Sequence, residues 1–137
     1  MSDALEMLSR VPLFAGVQPK ALAKLVDRMS ERTFAEGETA LEEGRGGAGF
    51  WLIESGDANV SVAGSQVRTL GPGDYFGEIA LIDDGPRSAT VVAATDLRCR
   101  GIAAWEFKAF VGEHPDAAWA IMETLAKRLR EAEARET

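Results

Sequence analysis

Cysteine and histidine are almost missing from this chain of 137 residues, which contains one of each, Cys99 and His114. A lone cysteine has no partner for a disulfide within the chain, so a reducing compartment is the expected environment. A lone histidine excludes the metal sites that depend on several histidines, and no cysteine cluster replaces them. We therefore expect neither a metal centre nor a bound cofactor.

Long apolar runs are also missing from the sequence. No stretch approaches the roughly 20 apolar residues that a membrane helix needs, and no cleavable signal opens the chain. With 46% hydrophobic and 27% charged residues, the composition is that of a globular protein. We expect a cytoplasmic protein of one domain that does not associate with membranes.

Positive charge is scarce, with 15 basic against 22 acidic residues and a net charge of −7. Binding to a nucleic acid backbone needs a positive face, so we expect no DNA binding by this chain alone. The acidity is spread over the whole chain. It does not argue against one local arginine that holds one small anion.

Catalytic motifs do not emerge either. The run Gly44–Gly49 satisfies the dinucleotide pattern G-x-G-x-x-G, but the β-type run Phe50–Ile53 follows it where a helix must begin. Cys99 lies in a strand-like run and is expected to be a small buried apolar residue. The three tryptophans are expected in the core or in a lid. We predict that the protein is not an enzyme.

The pattern of the chain predicts a mainly β fold with flanking helices (α+β). Residues Ala4–Leu8 and Pro19–Met29 read as helices, and Leu13 and Phe14 between them read as core. Short β-type runs separated by glycine-rich turns follow, which is typical of an antiparallel sandwich or roll. The predicted strands are Arg32–Ala35, Thr39–Glu42, Gly49–Glu54, Ala58–Val62, Val67–Leu70, Ala89–Ala94 and Leu97–Ile102. Helices at Trp105–Val111 and from Pro115 onward complete the chain.

The rest of the chain is arranged around one stretch, Tyr75–Val91. A short helical turn that begins at Gly77 leaves backbone N–H groups that attract anions. Arg87 can fork its guanidinium onto two oxygens of a phosphate. Glu78 is suited to accept a hydrogen bond from a sugar hydroxyl. These residues describe a nucleotide pocket, although Glu78 and Arg87 could equally form a surface ion pair.

The order of residues in this stretch is specific. The segments Phe76–Leu81 (Phe-Gly-Glu-Ile-Ala-Leu) and Gly85–Val91 (Gly-Pro-Arg-Ser-Ala-Thr-Val) closely resemble the phosphate-binding cassette of the cyclic nucleotide-binding domain family. This resemblance implies an antiparallel β-roll, or double-stranded β-helix, with N-terminal helices and a C-terminal lid helix. It also implies one domain over residues 1–137. N-terminal helices would span 1–30, the roll 31–103 with the cassette at 76–90, and C-terminal helices 104–137.

The resemblance also implies a ligand and the residues that hold it. The ligand would be a cyclic mononucleotide, with cAMP expected over cGMP because Ser88 stands where threonine tends to accompany cGMP preference. Gly77 and Ala80 would offer amides, Glu78 would take the ribose 2′-hydroxyl, and Arg87 would bind the cyclic phosphate. The full set of implied binding residues is Phe76, Gly77, Glu78, Ile79, Ala80, Arg87, Ser88 and Ala89 in the cassette, with Val60, Val67 and Arg68 around the base.

The last helix carries apolar residues at alternating steps of four and three, namely Ala118, Met122, Leu125, Leu129 and Ala132. This seam fits a helix lying on its own roll or a short coiled coil. The family implies both, since this helix closes the nucleotide pocket and pairs with its twin in dimers. A homodimer through the C-terminal helix is therefore one expected partner, and ligand binding is expected to move the terminal helices.

Three alternatives stay open. A cupin-like enzyme is disfavoured by the single histidine. A ligand-free interaction module of the same fold is disfavoured by the intact pair Glu78 and Arg87. The chain could also be the sensor half of a DNA-binding transcription regulator, since it ends at Thr137 without a helix-turn-helix. The sequence does not identify the downstream effector protein.

Overall fold

The computed structural model describes residues 3–42, 44, 49–78, 81–83 and 89–136. Its residues group into two units. One combines Met1–Asp27 with Ala109–Thr137, and the other comprises Arg28–Lys108. The first unit is helical and the second contains the strands.

The helical unit is built from short segments near the N-terminus and one long helix near the C-terminus. Prolines stand at the first position of three of its helical segments, where the missing N–H costs nothing. The segments are α1 (Asp3–Ser9), the 3-10 turn η1 (Pro12–Phe14), α2 (Pro19–Arg28), α3 (Ala104–Glu113), through which the division between the units passes, and α4 (Pro115–Glu136). The predicted helices are therefore present, with ends shifted by a few residues.

Leu13 and Phe14 in η1 are fully buried, as predicted for core residues. Gly16 follows η1 and lies against α4, where a Cβ added to the glycine would come to 3.6 Å from that of Ala120. On the same side of α4, Ala117 and Ile121 are buried. Small residues thus let η1 and α4 approach each other closely within this unit.

The second unit contains eight strands among the described residues. All of them are short, and their pairing is antiparallel throughout. They are β1 (Ser30–Phe34), β2 (Thr39–Leu41), β3 (Gly49–Ser55), β4 (Ala58–Val62), β5 (Ser65–Leu70), β6 (Tyr75–Phe76), β7 (Thr90–Ala93) and β8 (Leu97–Ala103). They form two four-stranded sheets with the orders β1-β8-β3-β6 and β2-β7-β4-β5. The predicted fold class, an antiparallel β-roll with flanking helices, is confirmed.

Both sheets contribute to one apolar core within the strand unit. Phe34, Ile53 and Leu97 come from the first sheet, and Val60 and Val91 come from the second. Each such side chain contributes roughly 1.5–3 kcal/mol when it is fully removed from water. The core is therefore the main force that holds the two sheets together.

Cys99 lies in this core and is fully buried, as predicted. Burial, together with the nearby Glu54 carboxylate, raises the pKa of the Cys99 thiol to about 12. A thiol of that pKa is almost entirely protonated at neutral pH and is a poor nucleophile. Cys99 is accordingly a structural residue.

The tryptophans depart in part from the prediction that they lie in the core or in a lid. Trp51 is partly buried against the core, and its ring occupies the space that a Cβ on Gly101 would need. Trp105 and Trp119 are 72% and 62% exposed, so neither is a core residue. Apolar character alone does not decide burial, because a helix has a solvent side on which large side chains are tolerated.

Candidate functional site

The candidate site follows β6, a strand of two residues held at the edge of the first sheet. Phe76 pairs with Trp51 of β3, and the Ile53 amide donates a hydrogen bond of 2.9 Å to the Asp74 carbonyl. Phe76 is buried in the core that both sheets share. This anchoring fixes the point at which the chain leaves the sheet and enters the cassette.

Gly77 is the first residue after β6, and its φ of +88° lies in the left-handed region. Only glycine adopts this conformation at little cost, so a glycine is required for the chain to turn here. The Leu81 amide then donates a hydrogen bond of 3.2 Å to the Glu78 carbonyl, and the Leu81 side chain is buried. This bond joins the two described residues at the ends of the helical turn that the sequence predicts.

Glu78 is half-buried at the start of this turn. Among the residues that the structure describes, none forms a hydrogen bond or an ion pair with its carboxylate. A carboxylate that is partly removed from water gains from a hydroxyl or amide donor. Its setting is therefore suited to a ligand hydroxyl.

In the second half of the cassette, the described residues begin again at Ala89, directly before β7. Ala89 is partly buried and packs against the same core that contains Phe76 and Val60. Both ends of the cassette are thus fixed on one apolar cluster. Four predicted binding residues lie outside the described part of the chain: Ile79, Ala80, Arg87 and Ser88.

The predicted base-binding residues lie on β4 and β5. Val60 is buried, and its cross-strand neighbours are Arg68 on β5 and Val91 on β7, so the three side chains share one face of the second sheet. Arg68 is exposed. Val67 is the extra residue of a bulge in β5, and its side chain is 57% exposed. The structure thus places Val60 and Arg68 side by side, whereas the Val67 side chain is mostly exposed to solvent.

Val91 is a neighbour that the sequence reasoning did not select. It is buried and lies directly beside Val60 in the register of β4 and β7. Its place in the alternating run after the cassette is the signal that would have marked it as an inward-facing residue. Both valines present apolar surface on the side of the sheet that carries Arg68.

No group of three or more His, Cys, Asp or Glu that could hold a metal ion occurs among the described residues. Within the same part of the chain, no helix is both long and apolar enough to cross a membrane. The candidate binding site is the cassette together with the apolar core on which its described ends pack.

Comparison with known proteins points to the same region. The family model for the cyclic nucleotide-binding domain matches residues 31–114, which is more than half of the chain. Among similar structures is the N-terminal domain of a transcriptional regulator from Streptomyces coelicolor. It has a TM-score of 0.86 and 29% sequence identity, and the match covers 96% of this chain and 95% of that one.

Two curated relatives illustrate the range of proteins that contain such a domain. A cAMP-dependent protein kinase regulatory subunit of Aspergillus niger is 38% identical over 111 residues, and the match covers 80% of this chain and 27% of the relative. A CRP-like cAMP-activated global transcriptional regulator of Mycobacterium tuberculosis is 29% identical over 130 residues, with 91% and 58% covered. The chain thus spans about a quarter and somewhat over half of these relatives, both of which are regulatory proteins. The chain belongs to the cyclic nucleotide-binding domain family.

Proposed function

We propose that this chain is a regulatory sensor domain that binds a cyclic nucleotide, with cAMP as the preferred ligand, in the cassette at residues 76–90. The observation that carries the proposal is the joint anchoring of the cassette: Phe76 at its start and Ala89 near its end pack on one core with Val60. Such anchoring holds a polar loop in place beside an apolar surface, which is the usual composition of a small-molecule site. One relative is named as cAMP-dependent and the other as cAMP-activated, which supports cAMP as the proposed ligand.

The roles of the cassette residues follow from their chemistry and from the family pattern. Gly77 and Ala80 contribute backbone amides, and Glu78 accepts the ribose 2′-hydroxyl. Arg87 binds the cyclic phosphate through a charge-assisted pair. Ser88 contributes its amide and hydroxyl, and Ala89 contributes its amide. Phe76 and Ile79 complete the cassette.

The base would lie against the second sheet. Val60 supplies apolar contact, and Arg68 on the same face places a guanidinium plane beside the base. Val67, in the bulge next to Arg68, covers the edge of the base when the ligand is bound. The expected selectivity between cAMP and cGMP is at most about tenfold, because it depends on a hydrogen bond worth roughly 0.5–1.5 kcal/mol.

In this proposal the protein is a switch without catalytic activity. The ligand orders the cassette, and the cassette shifts the equilibrium between two positions of the terminal helices. Self-association through the C-terminal helix is part of the proposal. The downstream effector is a protein that recognises one of the two helix positions. A cytoplasmic location also stays a prediction.

A second candidate is the sensor half of a transcription regulator, which the similarity to the CRP-like regulator favours. The isolated chain is expected not to bind DNA in either case, because its net charge of −7 opposes contacts to phosphate. Salt-dependent retardation of duplex DNA by the purified chain would contradict this expectation. A ligand-free interaction module of the same fold is the remaining alternative, and it predicts no nucleotide binding at all.

The decisive experiment is calorimetric titration of cAMP into the wild type, Arg87→Leu and a matched control, Arg98→Leu. Breaking a desolvated pair between arginine and phosphate costs roughly 2–5 kcal/mol. Arg87→Leu should therefore weaken binding by about 30-fold to several thousand-fold. Arg98 is an exposed arginine of the same unit that pairs with Glu31, so its replacement should leave the affinity unchanged. Equal affinities for Arg87→Leu and the wild type would refute the cassette assignment.

Calorimetric titration also tests the contacts that are proposed to the sugar and to the base. A 2′-deoxy cyclic nucleotide should bind more weakly by about 1–3 kcal/mol, since the Glu78 carboxylate then loses its donor. Equal binding of the deoxy form would show that Glu78 has another role. Competition between cAMP and cGMP, repeated with Ser88→Thr, tests the base preference, and tighter cGMP binding by the wild type would contradict it.

A further inference from the structure

The helical unit contains an open groove between the start of α2 and the first part of α4. Its volume is about 670 Å³, and every residue that lines it belongs to this one unit. From α2 come Lys20 and Lys24, and from α4 come Asp116, Trp119 and Glu123. Small-molecule sites usually have volumes of roughly 300–1,000 Å³. The groove is therefore large enough for a small ligand, and it contains no residue of the cassette.

The α2 side of the groove carries two positive charges. Lys20 and Lys24 are four residues apart, so they are neighbours on one side of the helix. Both are exposed, and within the described ranges neither forms a hydrogen bond or an ion pair. Like charges at this spacing repel each other. An anionic group of a ligand placed at the two lysines would offset that repulsion.

The α4 side carries two negative charges with an aromatic ring between them. Asp116 and Glu123 are seven residues apart, which places them on the same side of the helix. Trp119 lies between them on that side and is 62% exposed. In the part of the chain that the structure describes, neither carboxylate has an ion-pair partner. An indole ring flanked by carboxylates attracts an ammonium group, through its π face as well as through charge.

Small apolar residues line the rest of the groove. Ala21 of α2 is half-buried, as is Ala120 of α4, and Ala117 of α4 is buried. Methyl side chains leave open the space that a larger residue would fill, and they present apolar surface between the charged groups. The apolar body of a ligand would find its place there.

We propose that this groove binds a small amphoteric molecule, of the size of a di- or tripeptide with free ends. Its ammonium group lies at Trp119 between Asp116 and Glu123, and its carboxylate lies at Lys20 and Lys24. A simple anion would gain from the lysines but be repelled by the acids, and a simple cation would meet the reverse. A ligand with both charges gains at both sides. This site does not depend on nucleotide binding by the cassette.

The separation of the charges sets the size of the ligand. The lysines and the two acids line one groove, yet they lie too far apart to pair with each other. A single amino acid carries its two charges close together. A peptide separates its ends by up to roughly 3.3–3.6 Å for each residue. Two or three residues therefore bridge the groove better than one.

Binding should be weak, because all four charged side chains are exposed and exposed ion pairs contribute little. We expect a Kd of roughly 0.1–1 mM for a peptide that makes both sets of contacts. The affinity should fall as salt is added, since exposed charges are screened.

The first test is an NMR titration of the full chain, labelled with nitrogen-15, with the tripeptide Ala-Phe-Ala and without cyclic nucleotide. The indole resonance of Trp119, assigned with Trp119→Phe, should shift. That of Trp105 should not, since Trp105 is 72% exposed but does not line the groove. No shift at Trp119 up to about 10 mM peptide, ten times the weakest expected Kd, would overturn the proposal.

Matched ligands test the requirement for both charges. The N-acetylated tripeptide lacks the ammonium group, and the C-terminal amide lacks the carboxylate, while both keep the same apolar body. Each should bind about three- to tenfold more weakly than the peptide with free ends, which corresponds to about 0.7–1.4 kcal/mol. Equal affinity of the three peptides would refute an amphoteric site.

Variants of the chain locate the two ends of the ligand. Lys20→Gln combined with Lys24→Gln should abolish the preference for the free carboxylate and keep the preference for the free ammonium group. Asp116→Asn combined with Glu123→Gln should do the reverse. Each preference compares two peptides on one variant, so a general loss of stability does not imitate the result. A lysine variant that still prefers the free carboxylate would contradict the assignment.

Two further residues of α4 provide matched controls. Lys127 and Glu131 are exposed and do not line the groove. Lys127→Gln and Glu131→Gln change the net charge in the same directions as the groove variants, and both should retain the two preferences. Loss of a preference in either control would show that the net charge of the chain governs binding, which would refute the proposed site.

Discussion

The strand unit and the helical unit differ in where their exposed large apolar side chains lie. In the strand unit, Ile53 and Leu97 are almost completely removed from water inside a core that both sheets share. In the helical unit, α4 buries Ala117 and Ile121 on one side. On the other side it exposes a row of apolar residues that we call the α4 stripe, namely Trp119, Met122, Ala126 and Leu129. The exposed large apolar residues of the strand unit lie on four different segments, at Val62, Val67, Ile82 and Trp105, whereas those of α4 lie along one side of a single helix.

This difference predicts that substitutions in the two regions will have different effects. Residues of the roll hold the cassette in place, so their substitution should unfold or distort the site. Substitutions in the α4 stripe should hardly change the free energy of unfolding, but they should change self-association. The predictions below compare the two regions with matched substitutions, beginning with the largest expected effect.

Thiol reactivity should differ most strongly between the regions. The pKa of Cys99 is raised to about 12 by burial and by Glu54, while an exposed cysteine has a pKa of about 8.5. At neutral pH the thiolate fraction of Cys99 is therefore lower by about three orders of magnitude, before access is considered. In a Cys99→Ala background, Ala126→Cys on the stripe should label with a thiol reagent at least a thousandfold faster than native Cys99 does in the wild type. Comparable rates would show that the roll opens readily.

The same thiol gives the roll a dependence on alkaline pH. Because the folded pKa lies above the ordinary value of 9.0, the unfolded chain releases this proton first as the pH rises. The stabilisation is complete below about pH 9 and is lost progressively towards pH 12. The free energy of unfolding of the wild type should thus fall more steeply over that range than that of Cys99→Ala, and parallel curves would contradict the assignment.

Truncation of one leucine in each unit should give the next largest difference, measured as the loss in free energy of unfolding. Leu97→Ala removes a side chain that is 1% exposed and should lower the free energy of unfolding by about 2–5 kcal/mol. Leu129→Ala removes one that is 61% exposed and should change it by no more than about 0.5 kcal/mol. Denaturant unfolding at a concentration below that of any dimer gives both values. A large loss for Leu129→Ala under these conditions would mean that the stripe supports the folded monomer.

Glycines in the turns of the roll allow a finer comparison. Gly56 and Gly64 have nearly the same positive φ, +88° and +83°. A Cβ at Gly56 would overlap the carbonyl oxygen of Asp96, whereas a Cβ at Gly64 meets nothing within 4 Å. Gly64→Ala should cost about 1 kcal/mol for the conformation alone. Gly56→Ala should cost about 1–3 kcal/mol more for the overlap.

Thermal or denaturant unfolding of the two glycine variants, side by side, checks this difference. Equal losses would indicate that the strand ends near Asp96 relax to accept the methyl group. The packing between the turn and the strand that follows Asp96 would then be looser than the structure describes.

Local pattern in the sequence was enough to predict most elements of the fold. Alternating apolar residues and glycine-rich turns predicted the strands, and helical spacing with Pro19 and Pro115 at helix starts predicted the helices. The family was evident from Phe76–Leu81 and Gly85–Val91, the segments that resemble its phosphate-binding cassette, because an ungapped run of specific residues carries far more information than composition. The two-residue strand β6 was not predicted as a separate element, since so short a strand has no periodicity to detect.

Only the tertiary structure decided which side of each element meets the core. The sequence could not separate Trp51, which packs on the core, from Trp105 and Trp119, because all three are equally apolar and burial depends on distant partners. It predicted a seam on α4 that overlaps the stripe only at Met122 and Leu129, since a pattern of fours and threes does not reveal which side the rest of the unit already covers. Contacts between residues far apart in the chain likewise decide which residues adjoin Val60, how far the pKa of Cys99 is raised, and which side of α4 stays exposed. Such contacts arise from packing, and no local pattern encodes them.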